Sequence, residues 1–258
     1  MQMAAAAGVT HQAVTDHDTV AGLAEAEAAG KTCGVALVPG IEISAYIQRR
    51  EVHILGHFLP LADPSLEEYS LRLRGERAER MRGMVERMQA LGYPVTFEEV
   101  QAVAAGGQLG RPHLARVLID RGICRSFQEA FDRFLVEGKP GYVDRDRLTA
   151  ADAIAMVRRV GGVPTVAHPG ASRLGRSEIV AMRNAGLEGI EIHRNDQNPA
   201  LKNRFLKLAK ELHLIPTAGS DFHGAAITPH RKLGSASMAP ELFEALRERR
   251  GRANALTP

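Results

Sequence analysis

The sequence predicts an α/β fold. Three observations carry that prediction: short apolar runs recur at both ends of the chain, polar helical stretches separate them, and Gly and Pro mark the joins. With 258 residues, 45% of them hydrophobic, the chain can fill the core of one large domain or two small ones. Phe 8, Tyr 4 and Trp 0 leave that core to Leu, Val, Ile, Ala and Met. Such a composition excludes a disordered chain, a collagen-like chain and a disulfide scaffold.

The elements follow in order. Ala4–Gly8 reads as the end of a helix, and Ala13–Thr15 as the end of a strand. Thr19 is placed to cap a helix over Val20–Ala29 that Gly30 stops. Ala36–Glu42 and Glu51–His57 read as buried strands with chemistry at their ends. Residues 1–59 form the first part of the α/β body. Residues 60–148 change character and read as a helical insert or cap: a long Arg- and Glu-rich helix over Leu66–Leu91, then Phe97–Ala105, Pro112–Arg121 and Ser126–Val136. From residue 149 to 258 the first pattern returns. A helix to Arg159 leads into Val163–Ala167, Leu187–Ile192 and Leu214–Ala218, with helices between them and a last one over Pro240–Arg250. Alternation of this kind is the pattern of parallel β/α units.

Composition limits the partners. Lys plus Arg is 33 and Asp plus Glu is 30, and a surplus of +3 does not identify a nucleic-acid binder. Arg72–Arg87 mixes Arg with Glu, and Arg247–Arg252 is a short basic tail, so neither reads as an RNA track and no stable DNA binding is expected. Cys33 and Cys124 form no CxxC pair, which points to a reduced, cytoplasmic setting. The start of the chain lacks the basic region of a signal peptide, and no apolar stretch is long enough to span a membrane. Gly30-Lys31-Thr32 fails as a Walker A loop because Glu25 stands where the first Gly should be.

Chemistry-bearing residues collect where the strands should end. Asp16 and His17 follow the first strand, Glu42 the second, His168 and His193 two later ones, and Asp221 and His223 the last; His53 lies inside its strand. The carboxyl ends of parallel strands share one rim, so these residues would meet there. Crowded imidazoles and carboxylates repel or misprotonate one another, and a divalent cation removes that cost by using them as ligands. A mixed His/carboxylate set suits Mn²⁺, Zn²⁺ or Fe²⁺, and Mg²⁺ less well. Singly, each has a bland reading: a structural histidine for His53, a turn for His168 or Asp221–His223, a helix cap for Glu42.

The segments Thr15-Asp16-His17-Asp18-Thr19, Gly40-Ile41-Glu42, His53-Ile54-Leu55-Gly56, Ala167-His168-Pro169-Gly170 and Ser220-Asp221-Phe222-His223 together resemble the PHP (polymerase and histidinol phosphatase) family of metal-dependent phosphoesterases. The branch most similar is that of the nucleoside 3′,5′-bisphosphate phosphatases, related to an exonuclease acting from RNA 5′ ends. The resemblance implies a distorted (βα)₇ barrel with an inserted helical subdomain and up to three metals, Mn²⁺ before Zn²⁺, Fe²⁺ or Mg²⁺. It implies His17, Glu42, His53, His168, Asp221 and His223 as metal ligands, with Asp16 and Asp18 supporting them. It also implies phosphomonoester hydrolysis of a small phosphorylated nucleotide or short RNA. His113 would protonate the leaving oxygen and Arg111 would grip a second phosphate, with helix capping and surface charge as their plain readings. Arg173, His193 and Arg194 are further substrate contacts by position. The family's opening Asp-x-His-x-His strand has no counterpart here, so the barrel is expected to be N-terminally truncated, through a late-assigned start, a fragment or a real loss. Two other readings stay open: a histidinol-phosphate phosphatase, and a degenerate, non-catalytic metal-binding module.

Overall fold

The computed structural model describes residues 1–48, 50–144, 148–194, 198–224, 228 and 231–251. The tail position Arg252 lies outside them. The chain divides into two compact units, Met1–Glu67 with Arg147–Pro258, and Glu68–Asp146.

The first unit is built on a six-stranded sheet in the order β1-β2-β3-β4-β5-β6. Its strands are β1 (His11–Val14), β2 (Ala36–Ile47), β3 (Arg50–His57), β4 (Val163–Val166), β5 (Gly189–His193) and β6 (Ile215–Ala218). The sheet is curled and open, a half-barrel. Pairs β1/β2, β4/β5 and β5/β6 are parallel, whereas β2/β3 and β3/β4 are antiparallel. Five strands therefore run one way and β3 runs against them. This corrects the all-parallel expectation. The cause is local: β2 does not stop at Glu42 but continues to Ile47, and the link from Ile47 to Arg50 is too short for a crossover. Glu42 thus lies inside a strand rather than at its end.

Around the sheet lie α1 (Gln2–Ala6), α2 (Leu23–Cys33), α7 (Ala150–Arg159), α8 (Arg176–Asn184), α9 (Pro199–Glu211) and α10 (Pro240–Arg247), which follow the numbering of the whole chain. Helix α7 packs on β2, β3 and β4, and α9 on β5 and β6. The core is aliphatic, as the scarcity of aromatics requires: Leu23, Ile41, Ile43, Ile54 and Ile190 are buried, with Phe205 of α9 among them. A smaller cluster joins Val38, Phe58 and Val163 to Leu246 of α10.

Helix α2 departs from expectation. Thr19 does not cap it; its hydroxyl accepts the Ala21 N–H in a preceding turn, and Gly22 is the cap. Gly30 lies inside the helix, where a β-carbon would come within 2.5 Å of the Val35 carbonyl oxygen. The left-handed residue that ends the helix is Gly34, at φ 72°.

The second unit is helical: most of α3 (Pro64–Ala90), then α4 (Phe97–Ala104), α5 (Arg111–Asp120) and α6 (Phe127–Ala130), which runs into a π-helical turn over Phe131–Leu135. Thr96 and Glu99 form a reciprocal capping box at the start of α4. Met84, Met88, Val100, Leu114, Leu118 and Leu135 fill its own core.

Candidate metal centre

Four strands deliver the centre. After β1 the chain keeps pairing with β2. Glu42 N–H donates to the Asp16 carbonyl at 3.0 Å, and Asp18 N–H donates to the Glu42 carbonyl at 2.8 Å. These bonds hold His17 beside Glu42 in an isolated bridge. In the β2/β3 register Glu42 faces Leu55, and Ser44 faces His53. Paired residues and alternate residues share a face, so Glu42 and His53 point the same way. Because β3 is reversed, its early residue His53 lies beside the carboxyl ends of its neighbours. Beyond β4, Ala167 N–H still donates to the His53 carbonyl at 2.9 Å. That bond places His168 next to His53.

The side chains converge. Glu42 Oε1 lies 2.6 Å from His53 Nδ1 and 3.2 Å from His168 Nε2. His53 Nδ1 and His168 Nε2 are 3.1 Å apart. On the other side, Glu42 Oε2 lies 3.9 Å from His17 Nδ1, and His223 Nε2 lies 3.4 Å from His17 Nε2. Among the described residues, His17, Glu42 and His53 can each offer a ligand atom within 4.8 Å of the others.

The electrostatics are those of a concentrated charge. Burial raises the pKa of Glu42, but His17, His168 and His53 overcome it and hold the carboxyl well below its usual range. Burial opposes the charged form of His53, yet Glu42 and Glu51 more than offset this and hold its pKa up at about 10. For His17 burial wins, against Glu42, and the pKa falls. Burial likewise raises Asp16, with His223 opposing.

These residues fit a divalent cation. The buried Nδ1 atoms of His17 and His168 have no hydrogen-bond partner. The triangle of Glu42 Oε1, His53 Nδ1 and His168 Nε2 has edges of 2.6, 3.1 and 3.2 Å. Tetrahedral ligands about 2.0–2.1 Å from one ion stand roughly 3.3 Å apart, so three atoms at these spacings can share a metal.

The remaining expected residues are placed differently. Asp221 and His223 lie in the loop after β6 rather than on one strand face, and Asp221 has a left-handed backbone, φ 51°. The Asp221 carboxylate pairs with Arg231 and with Arg194, the latter at 3.3 Å. His223 Nδ1 donates to the Asp221 carbonyl at 2.9 Å. The Arg194 side chain is nearly buried between Asp221 and Glu191. His193 ends β5, its pKa lowered by burial and by Lys202. Arg173 is exposed, and its carbonyl accepts from Arg50. Asp18 is fully buried and does not cap α2; its Oδ1 accepts from Ser44 N–H. In the helical unit, Arg111 lies over the Phe131 ring, and His113 Nδ1 accepts the Gly110 N–H at the start of α5. Burial, then Arg77, lowers the His113 pKa.

Among the described residues, Glu51 beside His53, Glu191 and Arg231 take part and escape the sequence reading. Glu191 is buried in β5, and its carboxylate accepts the His168 backbone N–H at 2.8 Å. A carboxylate flanked by Ile190 and Ile192 was the available signal. Arg231 has no local signal.

No protein-family model matches the chain. It is 32% identical over 217 residues to the 5′-3′ exoribonuclease Rnm of Escherichia coli, covering 82% of this chain and 74% of that protein. It is 33% identical over 216 residues to the 3′,5′-nucleoside bisphosphate phosphatase of Chromobacterium violaceum, covering 82% and 76%. The chain belongs to the PHP-like metal-dependent phosphoesterases. A solved structure from Bifidobacterium adolescentis, provisionally described as a metal-dependent phosphoesterase, superposes with a TM-score of 0.85 at 29% identity, over 96% of this chain and 88% of that one. The protein is accordingly a metal-dependent hydrolase of phosphate esters, related to nucleotide-processing enzymes. Among the described residues, no helix is long and apolar enough to cross a membrane.

Proposed function

We propose that this phosphoesterase removes phosphate from nucleoside 3′,5′-bisphosphates or from RNA 5′ ends. The observation that carries the reading is the single buried carboxylate of Glu42 shared by three imidazoles. Likeness to the bisphosphate phosphatase and to the exoribonuclease supports the substrate class.

Glu42, His53 and His168 would hold one Mn²⁺ ion, and His17 with His223 would extend the donor set toward a second. Asp221 would join once its carboxylate exchanges an arginine for a metal. A divalent cation supplies an activated water and neutralises phosphate oxygens. The chain's own residues do the rest. Arg194, freed from Asp221, and the exposed Arg173 would bind phosphate oxygens, Arg in a bidentate manner. His193 would orient the nucleoside. In the helical unit we assign Arg111 to the second phosphate. His113 would protonate the leaving oxygen, and the burial that lowers its pKa makes it a readier proton donor when charged. Asp16 and Asp18 fix the backbone on either side of His17.

The test is phosphate release by the Mn²⁺-loaded protein from adenosine 3′,5′-bisphosphate and from a 5′-phosphorylated RNA oligomer. Release from either, abolished by chelation and by Glu42→Ala, is expected. A protein that binds Mn²⁺ yet releases nothing from both would refute the assignment.

A further inference from the structure

His168 reaches the centre from a backbone that resists its own position. Its φ is 27°, in the left-handed region that a β-carbon disfavours. The chain there turns sharply, with Ala171 N–H donating back to the His168 carbonyl at 3.0 Å. One side chain from the neighbouring strand meets this turn. Glu191 Oε2 accepts the His168 N–H at 2.8 Å and a proton of Arg194 at 3.1 Å. Glu191 is only 4% exposed. Space for it is made by a missing side chain: a β-carbon on Gly219 would stand 1.9 Å from Glu191 Oε1.

We propose that Glu191 is a positioning residue of the metal centre. It holds the His168 turn through the backbone N–H, so that His168 Nε2 is presented to Glu42 and His53, and Gly219 is glycine in order to admit the Glu191 carboxylate. What the place requires is one acceptor oxygen on which the His168 N–H and the Arg194 guanidinium converge. Partners that orient ligands from behind set metal affinity without touching the metal. The inference rests on the metal-centre reading above.

Both protein donors use the same oxygen, Oε2. A glutamine can place its carbonyl oxygen there and keep both bonds. Glu191→Gln is therefore the conservative variant, and Glu191→Ala removes the acceptor. Gly219→Ala is an independent probe, because it displaces the Glu191 carboxylate without removing any ligand.

The experiment measures Mn²⁺ binding by titration calorimetry to the purified full chain, with thermal unfolding followed alongside. Glu191→Ala should weaken Mn²⁺ binding about 10- to 100-fold. Glu191→Gln should recover most of that loss. Gly219→Ala should also weaken binding, but add little in the Glu191→Ala background, where the obstructed carboxylate is gone. A His53→Ala control should lose binding. Unchanged affinity in Glu191→Ala and Gly219→Ala beside a His53→Ala control that has lost it would overturn the positioning role and leave the metal site standing. Unchanged affinity in His53→Ala would remove the site, and the role of Glu191 with it. Fully additive losses in the double variant, or no recovery with Gln, would show a general structural defect instead and also overturn the proposal.

Discussion

Asp18, itself left-handed at φ 53°, accepts the backbone N–H of Ser44 on its Oδ1 at 2.7 Å. With the Asp18 N–H bonded to the Glu42 carbonyl, this clasp closes the His17 segment onto β2. Removing the acceptor leaves a buried N–H without its charged partner.

Asp18→Ala should lower the unfolding free energy by about 2 kcal/mol, the range of a hydrogen bond to a charged group. Asp18→Asn should lose less, because Asn keeps an oxygen and tolerates the left-handed backbone. Urea unfolding compares the two. Equal losses would show that the clasp contributes nothing specific.

His57 gives a pH dependence with a defined sign. Burial holds its pKa down at about 4, against an ordinary 6.5, and its Nε2 has no hydrogen-bond partner. The unfolded chain takes up this proton below about pH 6.5, the folded chain only below about pH 4. The folded protein therefore has the full contribution above about 6.5 and loses it as pH falls toward 4, by up to about 3 kcal/mol. His57→Leu should flatten that part of the curve. Denaturation midpoints between pH 7 and 4 measure it, and parallel curves for both proteins would contradict the assignment.

Gly40 is a point of close approach. A β-carbon there would lie 2.6 Å from Thr15 Cγ2 and 2.7 Å from the Gly56 carbonyl oxygen, which is backbone and cannot easily yield. Gly40→Ala should cost about 1–3 kcal/mol through overpacking. Because Glu42 is two residues further along β2, Mn²⁺ affinity should fall as well. A variant with wild-type melting temperature would show that the sheet gives way at no cost.

Metal binding should appear as stability. An ion that binds only the folded state adds about 2.7 kcal/mol at a free concentration of 100 times its Kd. Mn²⁺ should raise the melting temperature of the wild type reversibly with chelator, and leave Glu42→Ala unmoved. A rise of the same size in Glu42→Ala would place the ion elsewhere.

Much of this was legible in the residues. Imidazoles and carboxylates at the ends of apolar runs mark His17, Glu42 and His168, the family resemblance adds His53 inside its strand, and those four do meet. The direction of β3 was not legible, because alternation along a strand looks the same both ways. Only the length of the link after Ile47 decides it, and the polar residues Glu42 and Ser44 hid how far β2 extends. Glu191 is not legible because a carboxylate between two isoleucines also describes a strand with one wet face. The arginine partners of Asp221 come from separate loops, and no local pattern reports such a meeting.

The reversed strand has a kinetic consequence. Glu42 and His53 sit on adjacent arms of one hairpin, so their contact closes a short loop. Hairpins of this kind form in about 1–10 μs, well before strands distant in the chain can pair. His168 must wait for β4 to cross the whole helical unit in sequence. One contact of the centre, Glu42 with His53, is thus local in the chain, whereas the contact of Glu42 with His168 depends on a pairing between strands separated by the whole helical unit.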